Sequence, residues 1–195
     1  MTEIGTQYTY EEVFVKDNYF EKINKLIIDI LSRPERDVLT YDILDTPKTL
    51  HNKLIALKEK QRQMKVGDIW QEVLGNYDGF INLKQGHATG LDILSHTKKI
   101  AIELKNRTNT DNSSSKKSNL DKLSKFKKEH PEYTCIYANI NAATEQKTLQ
   151  GSMTVILHNS VEIQHRVGID FLTCMLGNDT EEIINFVKNA IDNFV

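Results

Sequence analysis

Residues Ile100-Ala101-Ile102-Glu103-Leu104-Lys105-Asn106-Arg107, IAIELKNR, begin as an apolar β-type run and end in charge. The two-residue period of a strand places Ile100, Ile102 and Leu104 on one face and Ala101, Glu103 and Lys105 on the other. A glutamate and a lysine thus project side by side from a strand whose first half belongs in a core. Just upstream, Leu91-Asp92-Ile93-Leu94 is a second β-type run, and the polar SHTKK between the two reads as a turn. With that turn centred on Thr97 and Lys98, Ser95 pairs with Ile100, and the same register sets Asp92 opposite Glu103. Carboxylates facing one another at cross-strand distance, roughly 5 Å between Cβ atoms, repel unless a positive charge lies between them. A divalent cation meets that need. Mg2+ takes hard oxygen ligands and requires only one or two carboxylates, its other positions going to water and substrate phosphate. Lys105, beside such an ion, could orient or activate a water or stabilise a phosphorane-like state.

The triplet Glu-x-Lys is weak by itself, since a chain this rich in both residues makes it by accident. Glu145-Gln146-Lys147 is a second copy, in a polar connection with no carboxylate on a preceding paired strand. What distinguishes Glu103 and Lys105 is the setting: Gly90-Leu91-Asp92, the turn, the apolar strand and a basic stretch after it. Without that setting the pair would read as a surface ion pair on a strand edge.

The basic stretch is local. Between His96 and His130 ten Lys or Arg face four Asp or Glu, a balance of +6, whereas the whole chain carries −2, leaving −8 for the remainder. A basic segment on an acidic body can meet a polyanion while the whole stays soluble, although a solvated helix face would also explain it. The 195 residues, 39% hydrophobic and 27% charged, suit one α/β core. No window approaches a membrane span, and MTEIGTQYTYEEVF lacks a signal-peptide profile, so a cytoplasmic protein is expected. Cys135 and Cys174 lie in apolar contexts without ligand-spaced partners and are expected to be buried free thiols.

Periodicity predicts a helix over residues 17–31, with Phe20, Ile23, Ile27, Ile30 and Leu31 along one face. A second helix starts after Thr46, with Pro47 in its first turn, and a third, DIWQEVLG, follows Gly67 and ends at Gly75. After the two strands of the hairpin, the polar stretch 106–119 reads as a connector, then Asn119 caps a helix with Leu120, Leu123 and Phe126 on one face. TCIYANIN, SMTVILHN and VEIQHRVG read as strands and IDFLTCMLG as a short helix. The closing helix, TEEIINFVKNAIDNFV, turns Ile183, Ile184, Val187, Ile191 and Phe194 inward. A helix between strands suggests a βαβ crossover in a mixed sheet.

Asp92, followed by Glu103-Leu104-Lys105 at the end of an apolar strand, resembles the D…(D/E)xK signature of the PD-(D/E)XK nuclease superfamily. The order helix, strand, strand, helix, strand over about residues 67 to 141 is similar too; Leu91 stands where many members have proline. The resemblance implies an α/β fold, a restriction-endonuclease-like mixed β-sheet flanked by helices, with a helical N-terminal region. One nuclease domain would span 1–195: a helical region to 66, a catalytic core over 67–141, and C-terminal strands and helix over 142–195. It further implies that Asp92 and Glu103 bind Mg2+, which Mn2+ can replace, with the Leu104 carbonyl as a further ligand, and that Lys105 assists the attacking water. In some members a Glu on the preceding helix joins the metal, and Glu72 is the matching candidate; an exposed helix carboxylate is the other reading of it.

The length, the helical first third and E-L-K-N-R-x-N-T followed by serines look most like a short type II restriction endonuclease, one that cuts GG/CC-type palindromes. The implied activity is sequence-specific cleavage of double-stranded DNA to leave 5′-phosphates by a homodimer, without a nucleotide cofactor, since no G-x-x-x-x-G-K-[ST] is present. A structure-specific repair nuclease and a non-catalytic DNA-binding domain are the alternatives. Arg107, Asn109, Asn112, Ser114, Ser115, Lys116 and Lys117 are the candidates for DNA contact by chemistry and position. Lys122, Lys125 and Lys128 read as the solvated side of their helix. His87 reads as a loop histidine near the motif, and His158 and His165 lack metal-ligand spacing.

Overall fold

The computed structural model describes residues 14–194, except 36, 85 and 109–111. Helix α1 (Lys16–Ser32) buries Tyr19, Ile23, Ile27 and Ile30, with Phe20 and Leu31 at the margins of that stripe. The Tyr19 hydroxyl donates to the Val73 carbonyl at 3.0 Å, so the buried phenol is satisfied. At the other end, Lys65 donates to the carbonyls of Leu31 and Arg33 at 2.8 and 2.9 Å, where the helix would otherwise leave acceptors unpaired.

Helix α2 runs unbroken over Pro47–Gly75. It begins in a reciprocal cap: the Thr49 amide donates to the Thr46 hydroxyl at 3.3 Å and the Thr46 amide to the Thr49 hydroxyl at 2.7 Å. The expected break at Gly67 is absent. Glycine inside a helix is unfavourable by only about 1 kcal/mol, and the packing of Ile69, Val73 and Leu74 beyond it outweighs that. None of residues 47–60 is buried, so the N-terminal half of α2 stands away from the core.

The strands are β1 (Ile81–Asn82), β2 (Ile93–Ser95), β3 (Ile100–Arg107), β4 (Thr134–Asn141), β5 (Ser152–His158) and β6 (Val161–Val167). Among the described residues they form one sheet in the order β1-β2-β3-β4-β6-β5. β3 and β4 run parallel, as do β4 and β6, and the remaining neighbours are antiparallel. Helix α3 (Ser113–Glu129) makes the crossover from β3 to β4. The sheet has a core on each face. Ile93, Ile102, Ile136, Ala138 and Ile140 pack with α1, α2, α5 (Ile169–Leu176) and α6 (Thr180–Asp192). Leu94, Ala101, Cys135, Tyr137 and Ile163 pack with Leu120, Leu123 and Phe126 of α3. This is the mixed α/β arrangement with a helical N-terminal region that the hydrophobic pattern predicts.

Several expectations need correction. The two-residue edge strand β1 is too short to leave a periodic signal. α3 starts six residues before Asn119: Asn112 is its cap, accepting from the Ser115 amide at 2.8 Å, and the serine run is its first turn. Serine side chains suit helix starts as well as loops, which is why composition misplaced the boundary. Glu145 and Lys147 lie on a short helix, α4 (Glu145–Gln150), so the second triplet shares no strand face. Cys135 is buried but Cys174 is exposed: α5 turns 171, 172, 175 and 176 inward and 174 outward. Phe194 lies beyond the end of α6 and is 38% exposed.

Gly75 closes α2 against β1 so tightly that an added Cβ would lie 2.6 Å from the Asn82 Cβ, whereas one at Gly67 would meet the Asn106 Cβ at an ordinary 3.7 Å. Gly75→Ala is expected to destabilise the fold by about 1–3 kcal/mol and Gly67→Ala to stabilise it by roughly 0.5–1 kcal/mol. Denaturant unfolding of the two variants should therefore move the midpoint in opposite directions.

Candidate active site

The hairpin sets the site. Ser95 pairs with Ile100, Leu94 with Ala101 and Ile93 with Ile102, the register expected from the turn. The regular ladder stops there. The Asp92 amide donates to the Ile102 carbonyl at 3.0 Å, its carbonyl accepts from the Leu83 amide at 2.9 Å, and Oδ2 accepts from the Leu104 amide at 2.7 Å. Two bonds thus fix Asp92 to β3 and a third ties it to Leu83 just past β1, with one carboxylate oxygen held by the strand beside Glu103. Gly90 aims the chain into this position through a left-handed residue at φ 67°, a conformation that favours glycine.

Glu103 is 2% exposed. Its Oε1 accepts from Lys105 Nζ at 2.6 Å and lies 3.6 Å from Lys122 Nζ, while Oε2 is buried with no hydrogen-bond partner among the described residues. Burial raises the Glu103 pKa above the ordinary value, the Asp92 charge adds to that, and the two lysines oppose it. An unsatisfied buried carboxylate oxygen is uncommon in a folded protein and calls for an explanation, such as a catalytic role or a bound water or ion.

Asp92, Glu103, Leu104 and Lys105 are therefore brought together. Glu72 is not. It sits on α2, in the helical layer against the Ile102 side of the sheet, ion-paired with Lys84 and accepting from Asn76 Nδ2 at 3.1 Å. Among the described residues, no three His, Cys, Asp or Glu side chains form a group that could hold a metal. A fully protein-built cage is accordingly missing there, but a two-carboxylate site of the kind that suits Mg2+ does not need one.

The DNA-contact candidates fall around the far end of β3 and the start of α3. Arg107 is the last residue of β3 and reaches Glu59 of α2 at 3.3 Å. Asn109 lies outside the described residues. The Asn112 side chain caps α3 and also accepts from the Ser114 hydroxyl at 2.7 Å. Ser114, Ser115, Lys116 and Lys117 occupy the first turns of α3, the end where backbone N–H groups favour anions. Lys116 Nζ lies 5.8 Å above the ring of Tyr137, the β4 partner of Glu103. His87 closes a local turn with Thr89, and His158 meets Asp121 Oδ1 at 2.7 Å.

Two features escaped the sequence. Lys122 and Lys128 share a helix, but Lys122 bends toward the sheet, with Nζ 3.2 Å from Asn119 Oδ1. Asn119 and Lys122 stand three apart on one face, a signal hidden by taking Asn119 as the cap. The second feature is a polar pair at the parallel strands. Asn139, the β4 partner of Lys105, donates from Nδ2 to the Arg107 carbonyl at 3.2 Å, and its Oδ1 accepts from His165 Nε2 at 2.8 Å. Burial, then Lys116, hold His165 below the usual histidine pKa. This pair ties down the end of β3, and its members are 26 residues apart, beyond the reach of local pattern.

Comparison with curated proteins found no match. The family model of the Eco47II restriction endonuclease matches residues 8–193, nearly the whole chain and all of the hairpin and helix just described, and the chain therefore belongs to the Eco47II restriction endonuclease family.

Proposed function

We propose that this nuclease-family chain is a type II, sequence-specific, Mg2+-dependent endonuclease that cuts double-stranded DNA to leave 5′-phosphates and acts as a homodimer. The observation that carries the reading is Glu103: a carboxylate buried in a sheet, next to a second carboxylate, with one oxygen left without a partner among the described residues. Asp92 and Glu103 would hold the ion, with the Leu104 carbonyl as a further ligand, and Mn2+ would serve in its place. When bound, the ion polarises a phosphoryl oxygen and lowers the pKa of a coordinated water.

The protein's own part is positional. Asp92 is fixed by the Leu104 amide, so its second oxygen is oriented without loss of freedom on binding. Lys105 Nζ, 22% exposed along its side chain, lies at the mouth of the site, where it can orient the attacking water and neutralise charge as the P–O3′ bond breaks. The O3′ leaving group takes up a proton and the water oxygen stays on phosphorus. Ser114, Ser115, Lys116 and Lys117 would meet backbone phosphates, which position the duplex without reading it; Arg107, Asn109 and Asn112 have the chemistry that base edges require. A twofold site in DNA matches a twofold dimer with one cut per subunit. Glu72, bound to Lys84 in the other layer, is left out of the proposed metal pair.

Incubation with long duplex DNA and Mg2+ is expected to give discrete fragments, with none when the ion is chelated. Asp92→Ala and Lys105→Ala should each slow cutting by roughly 10²–10⁴-fold. Equal cutting by the variants would overturn the site, and cutting confined to branched or damaged DNA would replace the restriction reading with a repair nuclease.

The raised pKa of Glu103 sets the pH behaviour. The folded protein keeps this proton to a higher pH than the unfolded chain, whose value is near 4.5, so ionisation weakens the metal-free fold as pH rises through the raised value. In chelator, Glu103→Gln is expected to melt higher than wild type at neutral pH, the gap closing below about pH 4.5. Cleavage by the wild type, which needs the ion on an ionised Glu103, should fall on its acid side, and more Mg2+ should move that limb to lower pH because the ion favours the charged carboxylate. A thermal unfolding series and a pH–rate profile check the two.

A further inference from the structure

Asp92 and Glu103 carry two negative charges, and Lys105 and Lys122 two positive ones, so the four side chains are neutral together without an ion. Lys105 belongs to the strand. Lys122 comes from a different element, α3, and three observations show that its approach is built in. Its Nζ lies 3.6 Å from Glu103 Oε1. It is 3.2 Å from Oδ1 of Asn119, a side chain that is itself 7% exposed. Its stem packs over Gly90, where a Cβ would lie at ordinary contact distance, 3.4 Å from Lys122 Cδ and 3.5 Å from Cε. Lys125, one turn away from this face, is 78% exposed.

We propose that Lys122 is an internal competitor for the divalent cation: its ammonium occupies the Glu103 carboxylate in the metal-free enzyme and must withdraw as the ion binds. The inference rests on the two-carboxylate metal site proposed above. A cation beside a carboxylate weakens the binding of a second cation there by direct repulsion. Lys122 is partly exposed, so it can swing into solvent at little cost, whereas the shorter Lys105 bond stays within the strand. Lys122 would thus set the concentration of free ion at which the site fills, as a positioning residue acting through Glu103.

The test is Mn2+ binding to the full chain without DNA, followed through the paramagnetic signal of the free ion. Lys122→Met keeps the stem over Gly90 and removes the charge; it is expected to tighten Mn2+ binding roughly three- to ten-fold. Lys122→Arg restores wild-type affinity, Lys125→Met leaves it unchanged, and thermal melting checks that each variant is folded. Unchanged affinity in Lys122→Met, with binding abolished in Glu103→Gln, overturns the competitor while keeping the metal site. Equal Mn2+ binding by wild type and Glu103→Gln overturns the metal site itself, and the competitor with it.

Discussion

The charge on Glu103 is the constraint around which the site is arranged. A carboxylate 2% exposed is held in a sheet between two apolar layers, where an isolated ion would suffer a penalty of several kcal/mol. Lys105 supplies a hydrogen-bonded counter-charge from the same strand, and Lys122 a more distant, non-hydrogen-bonded one from the crossover helix. Asp92 is kept from collapsing onto this pair because β3 itself bonds one of its oxygens. The arrangement is locally unfavourable and only partly compensated, a condition typical of functional sites. Burial that would be wasteful for stability keeps bulk water from screening these charged groups.

Much of this was legible in IAIELKNR because both signals were short in range. A period of two assigns faces within one strand, and a tight turn fixes the register of its neighbour, so Ser95 opposite Ile100 followed from local rules. What escaped depended on distance or on competition between rules. Gly67 reads as punctuation, yet tertiary packing carries the helix through it. Asn119 has the right chemistry for a cap, but Asn112 performs it, and the seven-residue displacement hid Lys122 on the inward face. Glu72 followed from its place before the motif, and the fold puts it in the opposite layer, paired with Lys84. The Asn139–His165 pair joins strands that only the folded sheet brings side by side.

The two faces of the sheet divide the labour. The face toward α1, α2 and α6 is dry and fixes the backbone: Ile93, Ile102 and Ile136 anchor the strands there. The α3 face is apolar at one end and becomes polar toward the ends of β3 and β4, through Glu103, Lys105, Asn139 and His165. Strand alternation thus places an apolar support and a charged, polar face on the same strand, one residue apart in sequence.

Helix α2 has a mechanical consequence. From Pro47 to Gln61 it extends about 21 Å before its first buried residue, and with no break at Gly67 the unsupported half and the packed half turn as one beam. A tilt of about ten degrees at the packed end would swing the capped end by about 4 Å, by the same geometry. The beam is bonded to the end of β3 through Arg107 to Glu59 and through Asn106 Nδ2 to the Gln63 carbonyl at 2.9 Å. Any load on the tip is therefore delivered, with leverage, to the strand that carries Glu103 and Lys105.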